Sequence, residues 1–157
     1  LRSNLKHIIV GLEMKAGLLI PHGEKLAGRS VLFEPYSQIM TFEFCVGTFS
    51  ICEGLGSILY LTDEGYDGSS GKRVPTKRWV SALIEHFDED GGLELSAGVE
   101  VVKSVRDLLH QDRLGARQDI DWHSMGYEEA FLPALSAIRG LLHQCADRVP
   151  DHSILVE

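Results

Sequence analysis

Residues 36–61 constrain this chain more than any other stretch. From Tyr36 to Leu61 the run is apolar on almost every face, with no proline inside it. A helix that is hydrophobic all round belongs at the centre of a bundle or at an interface between subunits. We read the run as one long helix that starts after Pro35, with Ser37 as its cap. Its Thr, Phe, Val and Ile content would also suit two strands over 41–61, but the alternation is poor and no turn separates the halves. Gly47, Ser50, Gly54 and Ser57 recur at spacings of three, four and three. Such a ridge of small residues lets another helix come close, at about 1 kcal/mol of helix propensity per glycine. Phe44–Leu61 approaches the length of a membrane span. Glu53 near its middle makes that placement expensive, and no membrane association is expected.

The other segments follow the helical period. Leu5, Ile8, Ile9, Leu12, Ala16 and Leu19 mark a first helix over 4–20, which Pro21, Gly23 and Gly28 should end. Residues 62–76, rich in Gly and Ser, read as an exposed flexible loop. Trp79, Leu83, Ile84 and Phe87 mark a short helix over 77–88. Val101, Val102, Val105, Leu108 and Leu109 mark another over 96–113, capped by Ser96. Tyr127, Ala130, Phe131, Ala134, Leu135, Ile138, Leu141 and Leu142 mark the last one. Pro133 falls inside that stripe, so the helix either kinks there or starts properly near Leu132. Residues 147–157 read as a frayed tail. The expected fold is all-α: one domain over 1–157, a bundle of about five helices with up-down character.

Charge and cysteines narrow the function. The chain carries 15 Lys and Arg against 23 Asp and Glu, a formal net charge of −8. That balance disfavours a general grip on nucleic acid, so any such contact has to be local. Cys45 and Cys52 stand seven residues apart on the long helix, too far along it for a disulfide. Reduced, buried thiols are the simple expectation. With no continuous apolar leader core in the first twenty residues, a cytoplasmic location is expected.

Few motifs carry chemistry. No P-loop, GxSxG or strand-borne GxGxxG is present, and no cofactor is expected. The seven histidines form neither HxxxH nor HExxH, and no metal site is assigned. Lys72, Arg73, Lys77 and Arg78 form the basic cluster of the chain, read either as solvated charge at a loop end or as a phosphate or RNA contact. Tyr36, Phe42, Phe49 and Trp79 either pack as core or line a small-molecule pocket. The polar face of the 96–113 helix carries Lys103, Arg106, Asp107 and His110. Four residues apart on a helix, Arg106 and His110 would point the same way. An arginine offers a fork of donors to a phosphate, and a histidine moves protons near neutral pH. Asp107 could orient either one. Glu53, inside the apolar helix, needs a partner if buried, and Arg106 is the candidate. Arg106, Asp107, His110 and Glu53 are therefore the candidate catalytic set. Otherwise the first three form an ordinary wet helix face.

VRDLLHQDR, followed by a connection and a terminal amphipathic helix, resembles the HEPN superfamily. The resemblance spans roughly residues 37–145 in helix order. Its motif rests on Arg106, Asp107 and His110. The interval between Arg106 and His110 is shorter than the family pattern, which fits a divergent or inactive member. Arg117 and His123 have a longer interval, but they fall in the connection, and Gln118 follows the arginine. The resemblance implies a small helical bundle that often dimerises. It implies either a metal-independent RNase of the toxin–antitoxin kind or an inactive relative that binds RNA or nucleotide. The expected partners are a second copy through the 39–60 helix, and RNA or an antitoxin-type protein. The alternatives are a non-catalytic protein-interaction subunit and a small-molecule-binding helical regulator.

Overall fold

The long apolar helix is the axis around which the other helices pack. The computed structural model describes residues 2–26, 33–66, 71–87, 92–109, 120–143 and 153–155. Among them are five α-helices and no strand: α1 (Arg2–Leu26), α2 (Phe33–Asp63), α3 (Thr76–Phe87), α4 (Gly92–Asp107) and α5 (Leu132–His143). The all-α bundle expected from helical periodicity is the observed fold. Helix α2 packs against α1, α3 and α4, and α4 in turn packs against α5. Phe44, Cys45, Thr48, Ile51 and Cys52 of α2 are buried in the shared core. Phe44 meets Phe131 edge-on with ring centroids 4.9 Å apart. By length and composition α2 could also cross a membrane; in this fold it is the core helix.

Helix α2 starts earlier than expected, at Phe33 rather than after Pro35. Pro35 then lies in the first turn, where its missing N–H removes no intrahelical bond. Helix α1 also outruns its expected end and continues through Pro21 to Leu26. Pro21 removes the bond to the Gly17 carbonyl, but buried Leu19 and half-buried Ile20 hold the helix on the core just before it. Ser96 is not a cap. Helix α4 begins a turn earlier, at Gly92, because Leu95 is already part of the buried stripe with Val99, Val102 and Val105. Pro133 sits in the first turn of α5, which does begin at Leu132. A π-helical turn, Tyr127–Phe131, leads into it.

The small-residue ridge of α2 does not act as one surface. A Cβ at Gly47 would come within 3.0 Å of Leu12 of α1, while one at Gly54 would meet nothing within 4 Å. The closest helix contact is made at Gly56, outside the ridge. The aromatic pocket is likewise not formed: Phe49 and Trp79 pack edge-on at 5.6 Å inside the core, Phe42 is buried against Trp122, and Tyr36 is exposed.

The tail departs from expectation where it is described. Ser153 and Leu155 are buried. The Glu13 carboxylate accepts from the Ser153 hydroxyl at 2.8 Å and from the Ile154 amide at 2.7 Å. Arg139 donates to the Ile154 carbonyl at 3.0 Å. Leu155 supplies the apolar anchor, and α1 and α5 supply the polar clamp.

Candidate functional site

The end of α2 sets one side of the site. Gly65, at φ 75°, adopts the left-handed conformation that closes a helix. The Tyr66 amide donates to the Leu61 carbonyl at 2.8 Å, and the Gly65 amide to Thr62 at 3.0 Å. This paired closure turns the chain and presents Tyr66. Its hydroxyl accepts from Lys72 Nζ at 2.9 Å, and the same ammonium lies 4.1 Å from the ring centroid. The hydrogen bond to Tyr66 raises the Lys72 pKa above its ordinary value.

The second side follows from how α3 docks. A Cβ at Gly56 would collide with the backbone carbonyl of Trp79, so only glycine lets the first turn of α3 lie against α2. Trp79 is fully buried there. Pro75 ends the preceding segment, and its carbonyl accepts from the Arg78 amide at 2.9 Å and the Trp79 amide at 3.2 Å. Residues 72–76 are thereby laid alongside α2.

Helix α4 supplies the third side. At Gly98 it presses on α5, where a Cβ would come within 2.5 Å of the Pro133 carbonyl and 2.7 Å of Ala137. With that face committed to α5, Lys103, Arg106 and Asp107 turn toward α2 and the 72–76 segment. The three sides enclose a groove of about 440 Å³. Phe49, Glu53 and Ser57 of α2 form its floor, and Lys72, Arg73, Val74, Pro75 and Thr76 face Lys103, Arg106 and Asp107 across it. That volume lies within the range of ordinary ligand pockets.

Four cationic side chains and two carboxylates line the groove. Lys103 Nζ lies 3.2 Å from Glu100, and Arg106 Nη1 lies 3.2 Å from Asp107. The Arg106 guanidinium also lies 5.1 Å over the Phe49 ring, with its side chain one-third exposed. The Glu100–Lys103 and Arg106–Asp107 pairs with which an entering phosphate would compete are part-exposed and individually weak.

The expected Glu53–Arg106 ion pair is not formed. Both residues line the groove, but Arg106 is held by its neighbour Asp107 and by Phe49, one turn before Glu53 on α2. Among the described residues Glu53 has no ion pair and no hydrogen-bond partner, although it is half-buried. His110 and Arg117 lie outside the described residues. The α-helix ends at Asp107, and Leu108 and Leu109 form a 3₁₀ turn with Leu109 exposed rather than on the buried stripe. His123 is exposed 3.7 Å from Glu34 and does not line the groove.

No family model, curated protein or solved structure matches the chain. The chemistry of the site is therefore read from its own side chains. Among the described residues no three His, Cys, Asp or Glu side chains cluster so as to hold a metal ion. In the sequence Lys72 and Arg73 belong to a basic cluster with Lys77 and Arg78, and Lys103 and Arg106 to a polar helix face; no local pattern joins the two. The usable signal was Pro75 before Trp79, a turn that anchors the basic segment to the core.

Proposed function

We propose that the groove binds the phosphate backbone of single-stranded RNA, and that the chain is an HEPN-like RNA-binding protein with Arg106 as its principal phosphate contact. One observation carries this reading. Lys72 and Arg73 meet Lys103 and Arg106 in one groove on a chain whose formal net charge is −8. On an acidic protein, a concentrated group of cations focuses potential on one place and lets phosphate bind there despite the net charge. Arg106 suits the role because its fork can hold two phosphoryl oxygens while its guanidinium rests over the Phe49 ring.

The cleavage half of the reading comes from the HEPN resemblance. His110 would carry the proton from the attacking 2′-hydroxyl, and Arg106 would offset the charge that builds on the phosphoryl oxygens. The reading also carries a homodimer through the 39–60 helix, or contact with an antitoxin-type protein. Exposed Tyr36 and Ile39 early in α2, and the exposed line of Val10, Met14 and Leu18 on α1, favour protein contact. Light scattering at micromolar concentration is expected to give a dimer; a mass of 17.4 kDa would remove that part.

The experiment is RNA binding and cleavage in EDTA. Arg106→Ala should weaken binding and lower any cleavage rate by about 10²–10⁴-fold, and His110→Ala should lower the rate similarly while RNA stays bound. Binding without cleavage places the chain with the non-catalytic relatives. Cleavage that survives His110→Ala removes that residue from the mechanism. Absence of RNA binding at low salt overturns the reading.

A further inference from the structure

Glu53 stands out in the groove because nothing there pairs with it. It lies on the floor between Phe49 and Ser57, each one helical turn away, while four cations line the same groove. The nearest expected partner, Arg106, is engaged by Asp107 at 3.2 Å and by the Phe49 ring at 5.1 Å. In a site that serves only to attract phosphate, a carboxylate on the floor is a liability, because it repels the ligand the cations gather. It becomes useful if the ligand brings a hydrogen-bond donor next to its phosphate. An ionised carboxylate only accepts, so the matching group must donate.

On a nucleic-acid backbone one group meets that requirement whatever the base sequence. The 2′-hydroxyl of RNA is a donor beside the phosphate, and DNA lacks it. We propose that Glu53 accepts a hydrogen bond from the 2′-hydroxyl of the bound strand, and so makes the groove selective for RNA over DNA. Glu53 is then a specificity-determining residue of the phosphate groove. The inference rests on the RNA-binding reading given above and extends it to one atom of the ligand. Repulsion between Glu53 and phosphate acts on both nucleic acids, whereas only RNA offers the compensating hydrogen bond.

The test compares a short oligouridylate with its 2′-deoxy and 2′-O-methyl counterparts in EDTA at low salt, on the full chain. Wild type should bind the RNA at least about tenfold tighter than either analogue, the scale of one hydrogen bond to a charged group. Glu53→Ala should bring that ratio close to one, chiefly by strengthening DNA binding as the repulsion is removed. Glu53→Gln, which keeps an acceptor without the charge, should fall between them and serves if the alanine variant folds poorly. Equal affinity of wild type for RNA and DNA, or a preference that survives Glu53→Ala, overturns the inference and leaves the phosphate groove standing. Failure of wild type to bind either nucleic acid overturns the groove reading itself, and the inference with it.

Discussion

Arg106 sits over Phe49, its guanidinium carbon 5.1 Å from the ring centroid, so one aromatic side chain serves both core and groove. Phe49 also meets Trp79 edge-on in the core, with ring centroids 5.6 Å apart. Phe49→Leu keeps the site apolar but removes the ring. It should destabilise the fold by about 1–2 kcal/mol through loss of the aromatic and cation–π contacts. It should also weaken RNA binding more than that small structural effect explains. Urea denaturation beside an RNA titration checks both. Unchanged RNA affinity in a folded Phe49→Leu protein would show that this contact does not position Arg106.

Gly54 and Gly56 stand two residues apart on α2 and should respond to alanine with opposite signs. At Gly54 the added methyl meets nothing within 4 Å, so Gly54→Ala should stabilise by up to about 1 kcal/mol through helix propensity. At Gly56 it meets the Trp79 carbonyl, and α3 has to move. Gly56→Ala should destabilise by about 1–3 kcal/mol or more, as overpacking does. Since α3 carries the 72–76 segment with it, RNA affinity should fall as well. Urea midpoints that shift in the same direction for both variants would contradict this packing.

The sequence made the helices readable because each buries a stripe at helical spacing, and the bundle follows from burying those stripes together. Element ends were harder. Pro21 looked like a stop, but local chemistry cannot report that Leu19 and Ile20 hold that end of α1 on the core. Ser96 has the chemistry of a cap, but buried Leu95 before it already belongs to the helix. The groove was partly readable. Arg106, Asp107 and Glu53 all line it, yet the expected Glu53–Arg106 pair yields to contacts with Asp107 and Phe49 that depend on side-chain placement. The meeting of Lys72 and Arg73 with Lys103 depends on the Gly56–Trp79 approach, which no local pattern encodes. The burial of 153–155 has no local signal, because the Glu13 carboxylate that accepts from Ser153 and Ile154 lies about 140 residues away in the sequence.

Glu13 should hold the C-terminal segment in place. Its carboxylate accepts two hydrogen bonds, from Ser153 and from the Ile154 amide. Glu13→Ala leaves a buried serine hydroxyl and a part-buried amide without their acceptor, a loss of about 1.5–3 kcal/mol for hydrogen bonds to a charged group. Amide exchange at Ile154 and Leu155 should quicken in the variant while the centre of α2 stays protected. Equal exchange in wild type and variant would mean that Leu155 and the Arg139 hydrogen bond anchor the segment without Glu13.

Burial pushes the Cys45 and Cys52 thiols from 9.0 up to about 12. Both are free and should resist alkylation in the folded protein at neutral pH, reacting after unfolding. The sign of the pH effect follows. The folded state keeps these protons where the unfolded chain loses them, so the contribution is fully present below pH 9 and is lost as pH rises from 9 through about 12. Each thiol should lower stability by about 1.4 kcal/mol per pH unit in that window. Cys45→Ala should flatten the decline by about one thiol's share. A slope unchanged in that variant would exclude Cys45 as its source.

The most direct test of the phosphate groove is the salt dependence of RNA binding. With Lys72, Arg73, Lys103 and Arg106 all engaged, the logarithm of the association constant of a short single-stranded RNA should fall against the logarithm of salt concentration with a slope of about −3. Arg106→Ala should reduce that slope by about 0.7, the share of one phosphate contact. A slope near zero in wild type, or one that Arg106→Ala leaves unchanged, would contradict the assignment of these cations to an RNA phosphate groove.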